Sequence, residues 1–234
     1  MNSASTASHQ SPRSLTSRGT PIVFVVDDDI SVRESLESLI LFAGWQPQIF
    51  ASAQEFLPRP PALVPSCLVL DVMLPGLNGL DLQKRLATDR VTMPIIFITG
   101  HGDVPMAVRA MKAGAVEFLN KPYSDEMLLS AIQEAIECSD AALRREADMR
   151  SIRDRYASLS PRERQVMALV VRGLVNRHVG SELFITEITV KVHRGNVMRK
   201  MKADSLADLV NMAATLGPGI HSEGLTPHRT HSAQ

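Results

Sequence analysis

Apolar residues follow two rhythms along this chain. Residues 22–26, 67–70 and 94–98 are short runs with almost nothing polar in them, the pattern of parallel strands buried on both faces. Residues 115–120 (A-V-E-F-L-N) and 46–50 read as two further strands. Between the runs, apolar positions recur every three or four residues. Val32, Leu36, Leu39, Ile40 and Phe42 form one such set, ending at Gly44; Leu80, Leu82 and Leu86 follow Gly79. Residues 104–113 form a third helix pattern, and Leu128, Leu129, Ile132 and Ile136 a fourth, capped by Ser124. Ser31 and Glu34, and again Ser52 and Glu55, have the spacing of a capping box, while the proline-rich residues 58–65 make a loop. Five strand-then-helix units predict an α/β fold with a doubly wound five-stranded parallel sheet, its topology restricted by right-handed crossovers.

The rhythm changes after this region. Residues 140–158 are helical and highly charged, with a thin apolar stripe of Leu143, Ala147, Ile152 and Tyr156. They predict a linker helix that either extends the preceding helix or packs on a partner chain. Ser160, Pro161 and Glu163 then make a strong helix start, and Val166, Leu169 and Val170 form the inner face of a helix ended by Gly173. A second helix over 174–183, a third over about 187–201 and a fourth carrying Leu206, Leu209, Val210 and Met212 complete a small all-α four-helix unit. Two short helices joined through Phe184, Ile185 and Thr186 in a basic setting suggest a helix-turn-helix. The expected organisation is a tail over 1–20, an α/β domain over 21–138, a linker helix over 139–158, a helix-turn-helix domain over 159–217 and a tail over 218–234.

At 234 residues the chain has room for two cores, and no apolar run is long enough to cross a bilayer. Cys67 and Cys138 lack paired spacing and read as buried thiols of a reducing compartment. Net charge is zero, but 8 basic and 16 acidic residues lie between Thr20 and Asp140, against 14 basic and 8 acidic between Ala141 and Leu216. A basic second half calls for a polyanionic partner. The Ser- and Thr-rich first twenty residues have no acid and no amphipathic pattern, and the last seventeen hold three histidines without metal-ligand spacing; both are expected to be disordered.

Chemistry concentrates at the strand ends. The first run stops in Asp27, Asp28 and Asp29, the third in Asp71 before a Pro-Gly turn, the fourth in Thr99 and the fifth in Lys121. If the strands are neighbours, these groups meet at the carboxyl edge of the sheet, where open α/β sheets place ligands. Three carboxylates that close require a cation, and Mg²⁺ suits hard oxygen ligands that share a phosphate. A carboxylate nucleophile (Asp71), a metal-binding acid (Asp28, supported by Asp27), a hydroxyl (Thr99) and an ammonium (Lys121) are the parts needed to form an aspartyl phosphate.

In that order and spacing, D-D, D, T and K resemble the receiver domain of two-component response regulators, and T-G-H-G-D-V-P-M-A-V-R-A-M-K-A-G-A-V-E-F-L-N-K-P is most similar to the FixJ-like branch. The resemblance implies Phe118 as an aromatic switch and the Met73 backbone carbonyl as a further metal ligand. From S-P-R-E-R-Q-V-M to V-K-V-H-R-G-N-V-M-R-K-M the second half resembles the LuxR-type DNA-binding domain, with glycine at 180 where that family usually has alanine.

At about 100° per residue from Val190, Val197 and Met201 share the core side of the third helix, while Lys191, Val192, Gly195, Arg199 and Lys202 fall between about 100° and 200° and face DNA. The resemblance places base reading on Lys191, Val192 and Gly195. Asn176, Arg177, Arg194 and Arg199 are candidates for phosphate contacts.

Together these features predict a cytoplasmic response regulator that is not an enzyme. A sensor histidine kinase phosphorylates Asp71, and the chain dimerises, binds promoter DNA and acts on RNA polymerase. Two alternatives remain at this point: a regulator whose receiver is a phosphate-independent dimerisation module, and a Mg²⁺-dependent phosphohydrolase. The second is disfavoured by Met73, which stands where those enzymes place a general acid.

Overall fold

A computed structural model describes residues 19–88 and 93–217. The expectations for the two tails fall outside the described residues, apart from residues 19 and 20 at the inner edge of the first. The chain divides into two compact units between Leu143 and Arg144.

In the first unit, β1 (Ile22–Val26), β2 (Gln46–Phe50), β3 (Ser66–Asp71), β4 (Ile95–Thr99) and β5 (Glu117–Asn120) form one sheet in the order β2-β1-β3-β4-β5. Every neighbouring pair is parallel. Alternate residues of each strand feed opposite cores. Val23, Val25, Cys67, Val69, Ile96 and Ile98 pack with Leu36 and Ile40 of α1 (Ile30–Phe42) and with Leu128, Ile132 and Ile136 of α5 (Asp125–Ala157). Phe24, Val26, Leu68, Leu70 and Phe97 pack with residues of α2 (Ala53–Phe56), α3 (Gly79–Thr88) and α4 (Val104–Lys112). Burial on both faces is why β3 after Ser66, and the whole of β4, contain no polar residue before their functional ends. The chain turns back between β1 and β3, which makes their carboxyl ends the crevice of the sheet.

One expected cap is replaced. Asp29, not Ser31, caps α1: its carboxylate accepts the Ser31 N–H at 2.8 Å, and the helix starts at Ile30. A carboxylate immediately after the strand is a charged acceptor in reach of the first free amides, so Ser31 is drawn into the helix. Ser52 does cap α2, accepting from the Glu55 amide, although the Glu55 carboxylate returns to the Ala51 N–H at 2.9 Å. Ser124 accepts from the Met127 amide at the start of α5. That helix runs without a break for 33 residues, so the charged segment expected as a linker continues it, and Cys138, expected to be buried like Cys67, lies on its exposed side.

The second unit contains α6 (Pro161–Val170), α7 (Asn176–Leu183), α8 (Glu187–Met201) and α9 (Leu206–Leu216). Val166, Leu169, Val179, Val190, Val197, Met201 and Leu209 fill its core, against which Ile152 and Tyr156 also pack. The Ser160 capping box is complete, and Ser205 with Asp208 forms a second one. Helix α7 begins two residues later than the apolar pattern suggested, because Gly173 at φ 88° and the residues after it form the turn. Gly180 is where α7 meets the approach to α8: a Cβ there would stand 2.8 Å from the Ile185 carbonyl oxygen. Even the usual alanine would press on backbone at this crossing.

Candidate functional site

The sheet register gathers the predicted acceptor residues. β1 and β3 pair through Val26 and Leu70, so Asp27 and Asp71 leave adjacent strand ends side by side. Thr99 pairs with Asn120, and the Lys121 amide donates to the Thr99 carbonyl at 2.7 Å, which brings the fourth and fifth strand ends to the same edge.

Lys121 Nζ then donates to Asp27 Oδ2 and to Asp71 Oδ2, both at 2.9 Å. The other oxygens are also occupied: Asp27 Oδ1 accepts the Asp29 N–H at 2.9 Å, and Asp71 Oδ1 accepts the Met73 N–H at 2.7 Å. One oxygen from each of Asp27, Asp28 and Asp71 lies within 4.8 Å of the others. Asp27 is fully buried, Asp71 nearly so, and Asp28 is exposed, which leaves one side of the cluster open to solvent. Burial holds the Asp27 carboxyl above the usual aspartate range, despite the Lys121 and Asp29 hydrogen bonds, and the charge of Asp71 adds to the rise. Burial alone would lower Lys121, but its two carboxylate partners outweigh that and raise it. Three carboxylates around a single ammonium leave an excess of negative charge on hard oxygen donors, a set that fits Mg²⁺.

Thr99 is fully buried and its Oγ1 accepts the His101 N–H at 3.2 Å. Phe118 is half-buried and tilted against Phe97, with ring centroids 6.2 Å apart. Two glycines not foreseen from the sequence frame these groups. A Cβ on Gly79 would stand 2.6 Å from the Asp71 carbonyl oxygen; one on Gly102 would stand 2.8 Å from both the Phe118 ring and the Thr99 methyl group, and would meet Asn120 Oδ1. Close approach of this kind has no periodicity, so no pattern in the sequence announces it.

In the second unit Val190, Val197 and Met201 are buried, and Lys191, Val192, Gly195 and Arg199 are exposed, as the helical arc predicts. Lys202 departs from that arc. It is the left-handed cap of α8, at φ 54°, so the 100° step no longer places its side chain. Arg194 Nη1 donates to Asn176 Oδ1 at 3.2 Å, joining two of the expected phosphate contacts, and Arg177 is exposed on α7. Glu163, buried at the start of α6, accepts from Lys200 Nζ at 2.6 Å and ties α6 to α8.

Residues 23–133 match the response regulator receiver domain, and residues 157–213 match the luxR family of bacterial regulatory proteins. Over 196 residues the chain is 53% identical to Nodulation protein W of Bradyrhizobium diazoefficiens, covering 84% of this chain and 86% of that protein. The chain belongs to the FixJ/LuxR-type response regulators. Transcriptional regulatory protein FixJ of the same species is 45% identical, over 87% of this chain and 98% of its own length. The solved structure of response regulator StyR superposes with a TM-score of 0.76 at 45% identity, over 84% of this chain and 99% of that one. This response regulator is therefore a transcription factor with a receiver domain and a helix-turn-helix DNA-binding domain. Its family implies a histidine kinase and promoter DNA as partners, and a receiver's Mg²⁺ site corresponds to its acidic cluster. Among the described residues no helix is long and apolar enough to cross a membrane.

Proposed function

We propose that this response regulator accepts a phosphoryl group on Asp71 from a sensor histidine kinase in the cytoplasm, and that the phosphorylated chain dimerises on promoter DNA and acts on RNA polymerase. The observation that carries this reading is the position of Lys121 Nζ, 2.9 Å from both Asp27 and Asp71 at the open edge of the sheet.

An Asp71 carboxylate oxygen attacks the phosphorus of the kinase phosphohistidine; the new P–O bond forms as the P–N bond breaks, and the kinase imidazole keeps the bonding pair. Lys121, already beside the nucleophile, pairs with a phosphoryl oxygen. The Thr99 hydroxyl, which accepts from His101, still has its own proton to donate to another. Asp28, Asp71 and the Met73 carbonyl, with Asp27 in support, would hold Mg²⁺, which would offset phosphoryl charge. Inward movement of Thr99 opens room for Phe118 to turn, which alters the surface of α4, β5 and α5. The switch is a population shift toward the state that holds the phosphoryl group more tightly. On DNA, Lys191, Val192 and Gly195 face base edges, while Asn176, Arg177, Arg194 and Arg199, with Lys202 at the helix end, approach the backbone.

The test compares the full chain and Asp71→Asn, each with and without acetyl phosphate and Mg²⁺. A hydroxylamine-labile phosphoryl group, a doubled mass in solution and tighter promoter binding are expected for the parent with acetyl phosphate and Mg²⁺, and for none of the other three samples. Equal mass and equal DNA affinity in all four samples would instead establish a phosphate-independent regulator.

A further inference from the structure

Ile188 occupies the first turn of α8 and is 78% exposed, more than Val192 at 59%. An aliphatic side chain that open to water gains nothing for the fold. Its position on the helix is specific. At 100° per residue it lies about 160° from the buried Val190, within the arc of Lys191, Val192, Gly195 and Arg199. The N-terminal turns of a recognition helix are those that reach base edges.

The chemistry of this strip is unusual for a surface offered to a polyanion. Ile188 and Val192 stand one turn apart and have no donor or acceptor in their side chains. Gly195 follows one turn further on with nothing within 4 Å of its missing Cβ. Lys191 lies beside the strip, Arg199 lies beyond its far end, and the Arg194–Asn176 pair stands on the neighbouring side of the helix. Positive charge at the borders draws in the phosphates, while the middle can only make apolar contact. In the major groove the one apolar group that identifies a base is the C5-methyl of thymine.

We infer that Ile188 is a specificity-determining residue of this DNA-binding domain, reading a thymine methyl group at the end of each half-site nearest the start of α8. The inference rests on α8 being the base-reading helix of the proposed function. It implies a half-site with a thymine required at that position, next to the bases that Lys191 contacts.

The test begins with the full chain activated by beryllium fluoride and Mg²⁺, used to select preferred duplexes from a random-sequence DNA library. Each selected thymine is then replaced singly by deoxyuridine, which removes only the methyl group, and affinity is measured for the parent and for Ile188→Ala. Ile188→Val serves as the conservative control, and thermal melting confirms that all three fold.

One substitution is expected to weaken the parent about fourfold, the equivalent of one buried methyl group. The same substitution should leave Ile188→Ala unchanged and cost Ile188→Val an intermediate factor. Equal losses for parent and Ile188→Ala at every thymine would overturn the inference while leaving α8 as the reading helix. Unchanged binding by Ile188→Ala with a loss of transcription would overturn it in favour of a protein contact. A parent that selects no sequence would remove the base-reading role of α8 itself, and the inference with it.

Discussion

Lys121 Nζ lies 2.9 Å from Asp71 Oδ2, although 50 positions separate the two residues in the sequence. The same ammonium holds the fully buried Asp27, whose carboxyl is raised above its usual range. A carboxyl with a raised folded pKa is least costly to the fold below its unfolded value of 3.8, and the cost grows as pH rises through the folded pKa. Lys121→Met removes the cation and should raise Asp27 further. The variant is expected to be less stable than the parent by about 3 kcal/mol at neutral pH, the range for breaking a buried ion pair. That gap should narrow as acid protonates Asp27. Urea unfolding with a chelator present, followed through Trp45 from pH 7 to pH 4, measures it; a gap independent of pH would place the loss elsewhere.

Asp28 lies on the open side of the cluster, where the proposed cation would enter. Mg²⁺ at tenfold above its dissociation constant should stabilise the receiver by about 1.4 kcal/mol through mass action. Asp28→Asn should abolish most of that gain without lowering stability in a chelator, since Asp28 is exposed. Thermal melting against Mg²⁺ concentration tests both halves of the statement, and an undiminished shift in the variant would remove Asp28 from the ligand set.

Glu163 links two helices of the other unit. Burial would raise its carboxyl, but Lys200 and the Ser160 amide overcome this and hold it below the usual glutamate range. A depressed carboxyl contributes stability above its unfolded pKa of 4.5 and loses it as pH falls through the folded value. Glu163→Gln keeps an acceptor for Ser160 but loses the charge opposite Lys200. It is expected to cost about 2 kcal/mol at pH 7, as for a hydrogen bond to a charged group, and nearly nothing once acid has neutralised the parent. Hydrogen exchange of the α6 amides in the full chain resolves this unit from the receiver.

How far the sequence revealed this molecule depended on the kind of feature. Strand runs such as 67–70 and the stripe of Val190, Val197 and Met201 were legible because burial repeats with the period of the element. The acceptor residues were legible because each ends an apolar run. Ser31 was misleading: capping-box spacing was present, but the carboxylate of Asp29 stood closer to the free amides. Ile188 lies in the same arc as Lys191 and Gly195, but an isoleucine carries no polar signal that sets it apart in a sequence. Gly79 and Gly102 were not legible, because the groups they admit come from strands remote in sequence.

Gly195 is exposed in the middle of α8 and a Cβ there meets nothing within 4 Å. Gly195→Ala should therefore stabilise the DNA-binding domain by about 1 kcal/mol, the difference in helix propensity. Gly195→Lys should carry an ammonium onto the base edges that residue 195 faces, changing which duplexes bind best and, through the added charge, steepening the salt dependence by about one ion. Affinity for selected and scrambled duplexes across a salt series separates these effects. A gain equal for every sequence would show that position 195 meets phosphate instead of a base.

Gly102 is the point where Thr99, Phe118 and Asn120 converge. A methyl group at this position cannot coexist with the Thr99 methyl and the Phe118 ring where they now stand, so Gly102→Ala must displace one of them. The Phe118 ring is the longer and less buried of the two, and Thr99 is fixed by complete burial and by the His101 amide. The ring is therefore expected to leave its seat whether or not Asp71 carries a phosphoryl group. Overpacking of this size costs about 1–3 kcal/mol, which is about one or two tenfold steps in population and offsets a switch of that size. The ratio of DNA affinities with and without beryllium fluoride should then fall at least tenfold, while uptake of phosphate from acetyl phosphate at Asp71 persists. An unchanged affinity ratio in a folded variant would separate Phe118 from the signal and leave Thr99 as the only residue that reports it.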